Sequence, residues 1–333
     1  MTGSGSSPVL PHDPVGKRVS VRSRTSGGAM TDTIGVVLRQ PADLILLGTR
    51  DGTEVGIRAT DMVALRHIRP GSGRQPKSRP TAYATPVADV ARAASAAWAP
   101  RLTESIGQWL LRSSAGFTGR ANTALPVGPP GLPMDEAIAA VTDFYLAQDL
   151  TPGFQVIPEL AGELEAALSD DWVTGDRVVT MVADIAEMEI DPARPVHLSE
   201  AATAGWLSLC GYDPGHPGAG VLTRGDNLAF ASIGDAAMPA AVARGAVIGP
   251  WLGITAMQVA ESARRQGMAQ QLLAALANWG RTRGARFANL QVLADNLPAR
   301  AAYAKSGFAE HHRYHYRWLR LEGGTPKGHA SPG

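Results

Sequence analysis

The chain has 333 residues, of which 44% are hydrophobic and 18% are charged, so it can bury an apolar core and is too weakly charged for general disorder. This length exceeds that of a usual single domain and predicts two globular units. The single cysteine, Cys210, excludes an intramolecular disulfide and a thiolate metal cluster.

The distribution of charged and apolar residues bears on partners and location. Residues 1–82 hold 12 Lys or Arg against 6 Asp or Glu, whereas residues 83–333 hold 19 against 24. The first segment would therefore attract nucleic acid or an acidic partner, unless it is simply a solvated basic face. Residues 1–13 lack a signal-peptide pattern, and no run of 18 apolar residues occurs. We expect a cytoplasmic protein without membrane spans.

Short strands separated by turn residues are predicted within residues 14–70. The Arg50–Thr53 segment contains Asp51-Gly52, which is a strong hairpin signal. Five short strands in this span predict a small closed barrel, and the arrangement resembles a Src-homology-3-like barrel. The predicted strands cover Arg18–Arg24, Ile34–Arg39, Leu44–Thr49, Val55–Arg58 and Val63–Ile68.

The other boundaries follow from composition. Residues 71–82 combine Pro, Gly, Ser and basic side chains, and we predict a basic linker there because such a segment cannot bury apolar surface. The ends at 1–13 and 322–333 are predicted to be disordered. Residues 83–321 form the second domain, with its core at about 200–321.

A mixed α/β domain, or α+β in the broader sense, is predicted for residues 83–321, because helical and strand patterns alternate along it. The helices are predicted at Val87–Trp98, Asp135–Gln148, Glu159–Leu168 and Ser199–Cys210. The strands are predicted at Gln108–Ser113, Phe154–Ile157, Arg177–Ile185, Leu228–Ile233 and Ala240–Ile248.

One internal similarity is present in this domain. The segment Ala139–Val156 has the order helix, tyrosine, turn and strand that is also found in Pro298–Tyr314. It is either a decayed duplication of half a domain or a chance likeness between two ordinary helix-to-strand connections.

A strand, a turn and a helix then follow one another. The apolar run Trp251–Val259 predicts a buried strand, and apolar residues at helical spacing predict a helix at Met268–Arg283. The turn between them presents free backbone N–H groups at a helix N-terminus, where the macrodipole favours anions. Gly267 allows a phosphate to approach closely, and Arg264 and Arg265 add positive charge. A pyrophosphate would fit this turn.

A second helix signal follows the predicted strand Phe287–Leu293. Asn296 is placed to cap a helix, Pro298 suits its first turn, and Gly307 suits the position after its end. This short helix would present Tyr303.

These two stretches resemble the GNAT superfamily of N-acetyltransferases. The family's acyl-CoA signature, Gln or Arg, two residues, Gly, one residue, then Gly or Ala, is matched by Arg264, Gly267 and Ala269. Its second signature, Asn, then Ala and Tyr on a helix, then Gly-Phe, is matched by Asn296, Ala299, Tyr303, Gly307 and Phe308. A barrel followed by such a domain also resembles a bacterial group of histone acetyltransferase-like proteins.

The resemblance implies the GNAT fold, with a mixed central sheet flanked by helices. It also implies acetyl-CoA as the acyl donor and assigns catalysis to Tyr303 and Asn296. Tyr303 would donate a proton to the departing thiolate, unless it is a packed core tyrosine. Met257 and Val259 would pair with the pantetheine arm and polarise the thioester carbonyl. The implied cofactor contacts on the turn and the two helices are Arg264, Arg265, Gln266, Gly267, Met268, Ala269, Gln270, Asn296, Ala299 and Tyr303.

Direct attack needs a neutral amine, so a base must take a proton from the acceptor. In several GNAT enzymes a glutamate on the central strand does this, but Gly253 stands at about that position here. Water, Glu200 or a residue of the His311–Tyr316 strand could substitute. The simpler expectation for that strand is outward-facing imidazoles, and its histidines lack the spacing of a zinc site.

We therefore predict an acetyl-CoA-dependent N-acetyltransferase that acetylates a primary amine directly. The acceptor would be a small amine or amino acid, or a protein lysine brought in by the basic barrel. The alternative is a CoA-binding regulatory module with little turnover, which the missing strand glutamate suggests. We expect a monomer or a dimer.

Overall fold

The computed structural model describes residues 15, 17–25, 28–41, 43–49, 53–67, 81–188, 195–212 and 215–321. The chain divides into two compact units, Met1–Ser78 and Arg79–Gly333. The ends predicted to be disordered, most of the predicted linker and the centre of the Arg50–Thr53 turn lie outside the described residues.

The described part of the first unit is an antiparallel sheet with the strand order β4-β3-β2-β1-β5. Its strands are β1 (Arg18–Arg24), β2 (Met30–Arg39), β3 (Leu44–Gly48), β4 (Glu54–Arg58) and β5 (Met62–His67). The first and last strands lie side by side around a small core that includes Val21 and Leu47. A β4–β5 pair, which would close a barrel, is not found among the described residues. All five predicted strands are present.

The second unit alternates helices and strands. Its elements are α1 (Val87–Ala97), β6 (Leu102–Ile106), β7 (Trp109–Ser113), β8 (Leu125–Pro126), α2 (Met134–Leu146), β9 (Gly153–Val156), α3 (Gly162–Ala167), β10 (Trp172–Asp184), β11 (His197–Ser199), α4 (Ala204–Leu209), α5 (Pro217–Leu222), β12 (Leu228–Gly234), β13 (Pro239–Ile248), β14 (Trp251–Val259), α6 (Met268–Thr282), β15 (Phe287–Leu293), α7 (Leu297–Lys305) and β16 (Ala309–Leu319). The prediction of a helix from Ser199 is wrong, because Ser199 ends β11 and the Thr203 side chain caps α4. The sequence patterns also missed β6, β8 and α5.

A mixed eight-stranded sheet, in the order β11-β12-β13-β14-β15-β10-β16-β9, runs through this unit. Helix α6 covers one face, where Leu272 and Leu276 pack among Leu252, Ile254 and Leu290. The opposite face of β10 and β16 contributes to a second core with α1. Because successive side chains of a strand point to opposite faces, the two faces of this sheet belong to two different cores.

Two halves of the second unit repeat one topology and exchange their last strands. In the first half, β6, β7 and β8 are antiparallel, and Ala124 beside β8 bridges in parallel to Phe154 in β9. In the second half, β12, β13 and β14 are antiparallel, and β14 pairs in parallel with β15. The strand that follows β9, β10, pairs with β15, whereas the strand that follows β15, β16, pairs with β9. β10 and β16 pair with each other at the centre.

This repeat agrees with a duplication, one of the two interpretations of the internal similarity. The sequence similarity nevertheless aligned two helices that do not correspond, α2 and α7. Helix α2 lies between β8 and β9 and so corresponds to α6, which lies between β14 and β15. Helix α7 corresponds to α3.

Helix α1 packs directly on β14 at Gly253. A Cβ at position 253 would lie well inside van der Waals contact with the Ala97 Cβ. Ala97 is 3% exposed, so the helix has no room to shift toward solvent without opening the core. Glycine at position 253 is therefore a packing requirement of this helix.

We expect Gly253→Ala to lower the free energy of unfolding by about 1–3 kcal/mol, because it overpacks a buried contact. Adding Ala97→Gly should recover part of that loss, since it removes the atom that the new methyl group meets. Denaturant unfolding measures both. Gly162→Ala is the matched control, because a Cβ there meets nothing within 4 Å, and it should not destabilise the protein. Equal stability of wild type and Gly253→Ala would contradict the packing argument.

Candidate active site

A cleft opens where β14 and β15 stop pairing. The two strands are in parallel register only from Trp251 to Ile254, and Ile254 faces Leu290 at the last pair. Just beyond, Ala256 has φ 49° and the pairing of β14 with β13 changes register. A bulge of this kind bends a strand and ends its regular pairing. Among the described residues, the second half of β14 therefore has no strand partner on its β15 side.

Main-chain donors of β14 face this cleft. Ala260 donates its N–H to the Ala240 oxygen at 2.8 Å, so it points toward β13. Because successive residues of a strand turn their polar groups to opposite sides, Val259 directs its N–H toward the cleft, and so does Met257 two residues earlier. Both residues predicted to meet the acyl donor thus lie along the open edge.

The turn between β14 and α6 has the backbone shape of an anion site. Arg265 and Gly267 adopt left-handed conformations, with φ 62° and 77°, on either side of Gln266. Gly267 is the N-cap of α6 and offers no side-chain cap, and the Gln271 N–H already bonds to the Gly267 oxygen at 3.2 Å. The amides of the first helical turn therefore have no partner within the helix.

The side chains around this turn divide between solvent and core. Arg264, Arg265 and Gln266 are exposed, Ala269 and Gln270 are half-buried, and Met268 is buried beneath α6. Met268 can therefore meet a ligand only through its backbone. The exposed guanidinium groups add positive charge where the helix dipole already favours an anion.

The corresponding turn of the first half is less suited to an anion, because Asp135 and Glu136 place negative charge in the first turn of α2. It contains Pro129, Pro130 and Pro133, which have no N–H to donate. The Pro129 oxygen accepts a hydrogen bond from Gln108 N at 2.9 Å, which ties the turn to its own hairpin. The turn before α6 loses no amide to proline and has no acidic residue in its first helical turn.

Helix α7 is capped as predicted. The Asn296 Oδ1 accepts from the Ala299 N–H at 3.2 Å, and Pro298 lies in the first turn. At the other end Gly307 has φ 100°, and the Phe308 N–H bonds to the Tyr303 oxygen at 3.1 Å. Asn296 thus fixes where α7 begins. Because Tyr303 lies further along the same helix, the cap also fixes the position of Tyr303.

Tyr303 brings α7 to the open edge of β14. Its Oη lies 3.7 Å from the Met257 sulfur, which is the only hydrogen-bond partner of this hydroxyl among the described residues. Thioether sulfur is a weak acceptor, so the hydroxyl is not satisfied as that of a packed core tyrosine would be. Burial raises the pKa of Tyr303, which keeps the hydroxyl protonated at neutral pH.

Two candidate bases lie in the wrong place. Position 253 has no space for a glutamate, because Ala97 of α1 fills it. Glu200 is exposed after β11 at the edge of the sheet, three strand spacings from β14, or about 14 Å. Neither position supplies a carboxylate to the cleft.

The histidines of β16 do not face outward, so that expectation is wrong. His311 Nε2 lies 3.0 Å from the Thr85 oxygen, and His311 Nδ1 lies 2.8 Å from His312 Nδ1. Because the Thr85 oxygen only accepts, His311 Nε2 carries a proton and His311 Nδ1 accepts from His312. His312 is 3% exposed and its Nε2 has no partner among the described residues.

Burial, and then the neighbouring His311, lower the pKa of His312 to about 4. A base this weak does not hold an amine proton at neutral pH. His312 is therefore a buried neutral imidazole. Within the described ranges, no cluster of three His, Cys, Asp or Glu is arranged to hold a metal ion.

Residues 85–317 match the family model described as probable histone acetyltransferase Rv0428c C-terminal. The chain is 30% identical over 312 residues to the probable histone acetyltransferase Rv0428c of Mycobacterium tuberculosis, covering 91% of this chain and 94% of that protein. It is 28% identical over 243 residues to the uncharacterized N-acetyltransferase YobR of Bacillus subtilis, covering 69% of this chain and 98% of that protein.

A likeness to a solved structure concerns the fold. A GCN5-related N-acetyltransferase from Kribbella flavida superposes with a TM-score of 0.53 and 17% identity, covering 71% of this chain and 96% of the other. No helix in the described segments has the length and apolar character to span a bilayer.

His312 should make the protein lose stability in acid. Its pKa is about 4 in the folded protein against an ordinary 6.5, so below pH 6.5 the unfolded chain takes up a proton that the folded chain refuses. The resulting loss is absent above pH 6.5 and reaches on the order of 3 kcal/mol as pH falls to about 4.

Denaturant unfolding at pH 7 and pH 4.5 tests this, with His312→Gln expected to lose less stability on acidification than wild type. His197→Gln is the control, because His197 is exposed on β11. A pH dependence unchanged by His312→Gln would show that His312 titrates normally.

Proposed function

The chain belongs to the family of the probable histone acetyltransferase Rv0428c C-terminal region and is an acetyltransferase of the GNAT type, and from this premise we propose that it moves an acetyl group from acetyl-CoA directly to a primary amine. The observation that carries the proposal is the turn before α6. There two left-handed residues, Arg265 and Gly267, open unpartnered amides toward the cleft beside β14.

The residues of the turn fit a pyrophosphate. A Cβ at Gly267 would find nothing nearer than the Gln271 Nε2 at 3.9 Å, so there is open space in front of the turn. The amides of residues 265–270 would donate to the phosphate oxygens, and Arg264 and Arg265 would balance their charge. Ala299, half-buried in the first turn of α7, would border the cofactor on the other side.

The transfer needs hydrogen-bond donors for the carbonyl oxygen of the thioester and a proton donor for the departing sulfur. The acyl donor supplies an activated thioester, and the amides of Met257 and Val259 would hold its pantetheine arm and stabilise negative charge developing on the carbonyl oxygen. The amine nitrogen bonds to the carbonyl carbon as the carbon–sulfur bond breaks. Tyr303 gives its proton to the departing sulfur.

The proton balance is closed by water. The acceptor nitrogen loses one proton as the amide forms, and no side chain at position 253 can take it. Water at the mouth of the cleft takes it and returns a proton to Tyr303. Asn296 acts by capping α7 and so positioning Tyr303.

The regulatory alternative is not favoured. It was suggested by the missing strand glutamate, but glycine at position 253 has a steric reason in the packing of α1. The absence of a glutamate at position 253 is therefore no sign of lost turnover.

The first unit has a separate proposed role. We assign residues 14–70 to a barrel, 71–82 to a linker and 83–321 to the enzyme domain. The excess of 12 basic over 6 acidic residues within 1–82 suits an acidic partner or nucleic acid.

Gly267→Asp should weaken CoA binding by about tenfold or more, because it places a negative charge before the pyrophosphate. Gly267→Asn is the matched control, since Asn tolerates the left-handed conformation and has nearly the same size without the charge. Isothermal titration of CoA into each variant gives the affinities. Equal affinities for wild type and the Asp variant would remove the turn from the binding site.

Tyr303→Phe should lower kcat by on the order of a hundredfold with little change in CoA affinity, because it removes a proton donor and keeps the ring. Thiol release from acetyl-CoA measures the rate. Tyr83→Phe, at a half-buried tyrosine before α1, is the control and should leave the rate unchanged. Unchanged turnover in Tyr303→Phe would exclude this role.

A further inference from the structure

A pocket lies at the mouth of the cleft on the α1 face of the sheet. It encloses about 360 Å³ of space open to solvent, and its walls include Arg120, Gln291, Tyr314 and Tyr316. Gln291 follows Leu290, the last residue of β15 that pairs with β14, so the pocket begins where the cleft opens.

The pocket and the pyrophosphate turn lie on opposite faces. Leu290 and Val292 face the core beneath α6, and strand alternation turns Gln291 to the other side. Tyr314 and Tyr316 pack in the core on the α1 side. An acceptor entering from this pocket would approach the acyl group from the face opposite the nucleotide.

Arg120 brings a positive charge to the pocket without a carboxylate partner. Its Nη1 donates to the Gln291 Oε1 at 2.9 Å, and its guanidinium carbon lies 5.0 Å from the centre of the Trp98 ring. No Asp or Glu of the described segments lies within salt-bridge distance of it. A half-buried guanidinium without a counterion is a strong attractor for an anion.

Two buried arginines add to this charge. Arg112 donates to the Thr123 oxygen at 2.9 Å and to other neutral acceptors, and Arg244 donates to the oxygens of Ala97 and Leu222 at 2.7 and 2.6 Å. None of their hydrogen-bond partners within the described residues is a carboxylate. The guanidinium carbon of Arg244 lies 5.6 Å from the centre of the Trp98 ring, which Arg120 also contacts, so these two cations share one region. Burial, and then the Arg120 charge, lower the pKa of Arg244.

Two tyrosine hydroxyls complete the recognition groups. The Tyr314 Oη donates to the Gln291 Oε1 at 3.3 Å and lies 3.5 Å from the Tyr316 Oη. A carboxylate, as the stronger acceptor, would replace the Gln291 oxygen as the partner of this hydroxyl. Burial raises the pKa of both tyrosines, so both remain donors at neutral pH. The exposed Asp176 on β10 also raises the pKa of Tyr316, and its contribution is the smallest of those that act on this hydroxyl. The pocket is therefore rich in donors and net positive.

We propose that Arg120, with the hydroxyls of Tyr314 and Tyr316, binds a carboxylate of the acceptor, so that the acceptor is a small amine bearing an acid group, such as a free amino acid. This inference rests on the proposed function, because it takes the pocket as the acceptor end of the cleft. A lysine within a basic protein segment is disfavoured by the same charge.

The test compares the standard amino acids with their α-amides as acceptors, following thiol release from acetyl-CoA by the full chain. Wild type should prefer acids over amides, by about tenfold or more in kcat/KM for the best acceptor. Arg120→Gln should remove that preference and leave the amide rate unchanged, while Arg120→Lys should retain part of it. Arg313→Gln, an exposed cation on β16 paired with Glu310, is the control and should change neither rate.

Failure of this inference is distinguishable from failure of the proposed function. Faster turnover of amides or of lysine in basic peptides, or equal loss of both rates in Arg120→Gln, would overturn the carboxylate site while acetyl transfer stands. If no acceptor releases thiol, titration of the amino acids into the enzyme still decides, because binding that is saturable and lost in Arg120→Gln supports the site. Absence of such binding would overturn it.

Discussion

The short parallel pairing of β14 with β15 is the constraint on which the site depends. The two strands share a register only from Trp251 to Ile254, and the bulge at Ala256 turns β14 away. Main-chain N–H groups in a sheet that have lost their partner are unfavourable unless water or a ligand takes them. The same divergence of the two strands creates the cleft and exposes the main-chain donors of Met257 and Val259. Arg120 and Gln291 lie at the mouth of this cleft.

The two halves exchange strands, but only the second half has a turn suited to an anion. β10 pairs with β15 and β16 pairs with β9, so strands of both halves belong to the one eight-stranded sheet, and β6, β7 and β8 form a separate three-stranded sheet. The repeat could have produced two anion turns, but prolines at 129, 130 and 133 remove three amide donors from the first, and Asp135 and Glu136 add negative charge at the start of α2. The first half instead supplies α1 and the segment around Arg120, which form one wall over the second half.

Much of this arrangement could be predicted from the sequence. The mixed sheet with flanking helices, the GNAT-type fold and the acetyltransferase class are confirmed by the comparisons. The Asn296 cap and the left-handed Gly307 are also as predicted. The start of α4, the outward imidazoles and the register of the internal similarity were wrong. Each of these depends on which distant strand or helix covers a segment, as the burial of His312 illustrates.

Sequence by itself determined the features that are decided within a few residues: the strand-turn-helix order around Gly267, the caps of α7 and the five strands of the first unit. These follow from backbone conformational preferences and hydrogen bonds between near neighbours in the chain. Tertiary structure alone decided why position 253 is glycine and which residues line the pocket. Arg120 and Gln291, hydrogen-bonded at 2.9 Å, are 171 residues apart in the chain, and no local pattern links them. The steric exclusion at position 253 and the lack of a counterion at Arg120 depend on residues that are distant in the sequence. Those residues become neighbours only when the chain folds.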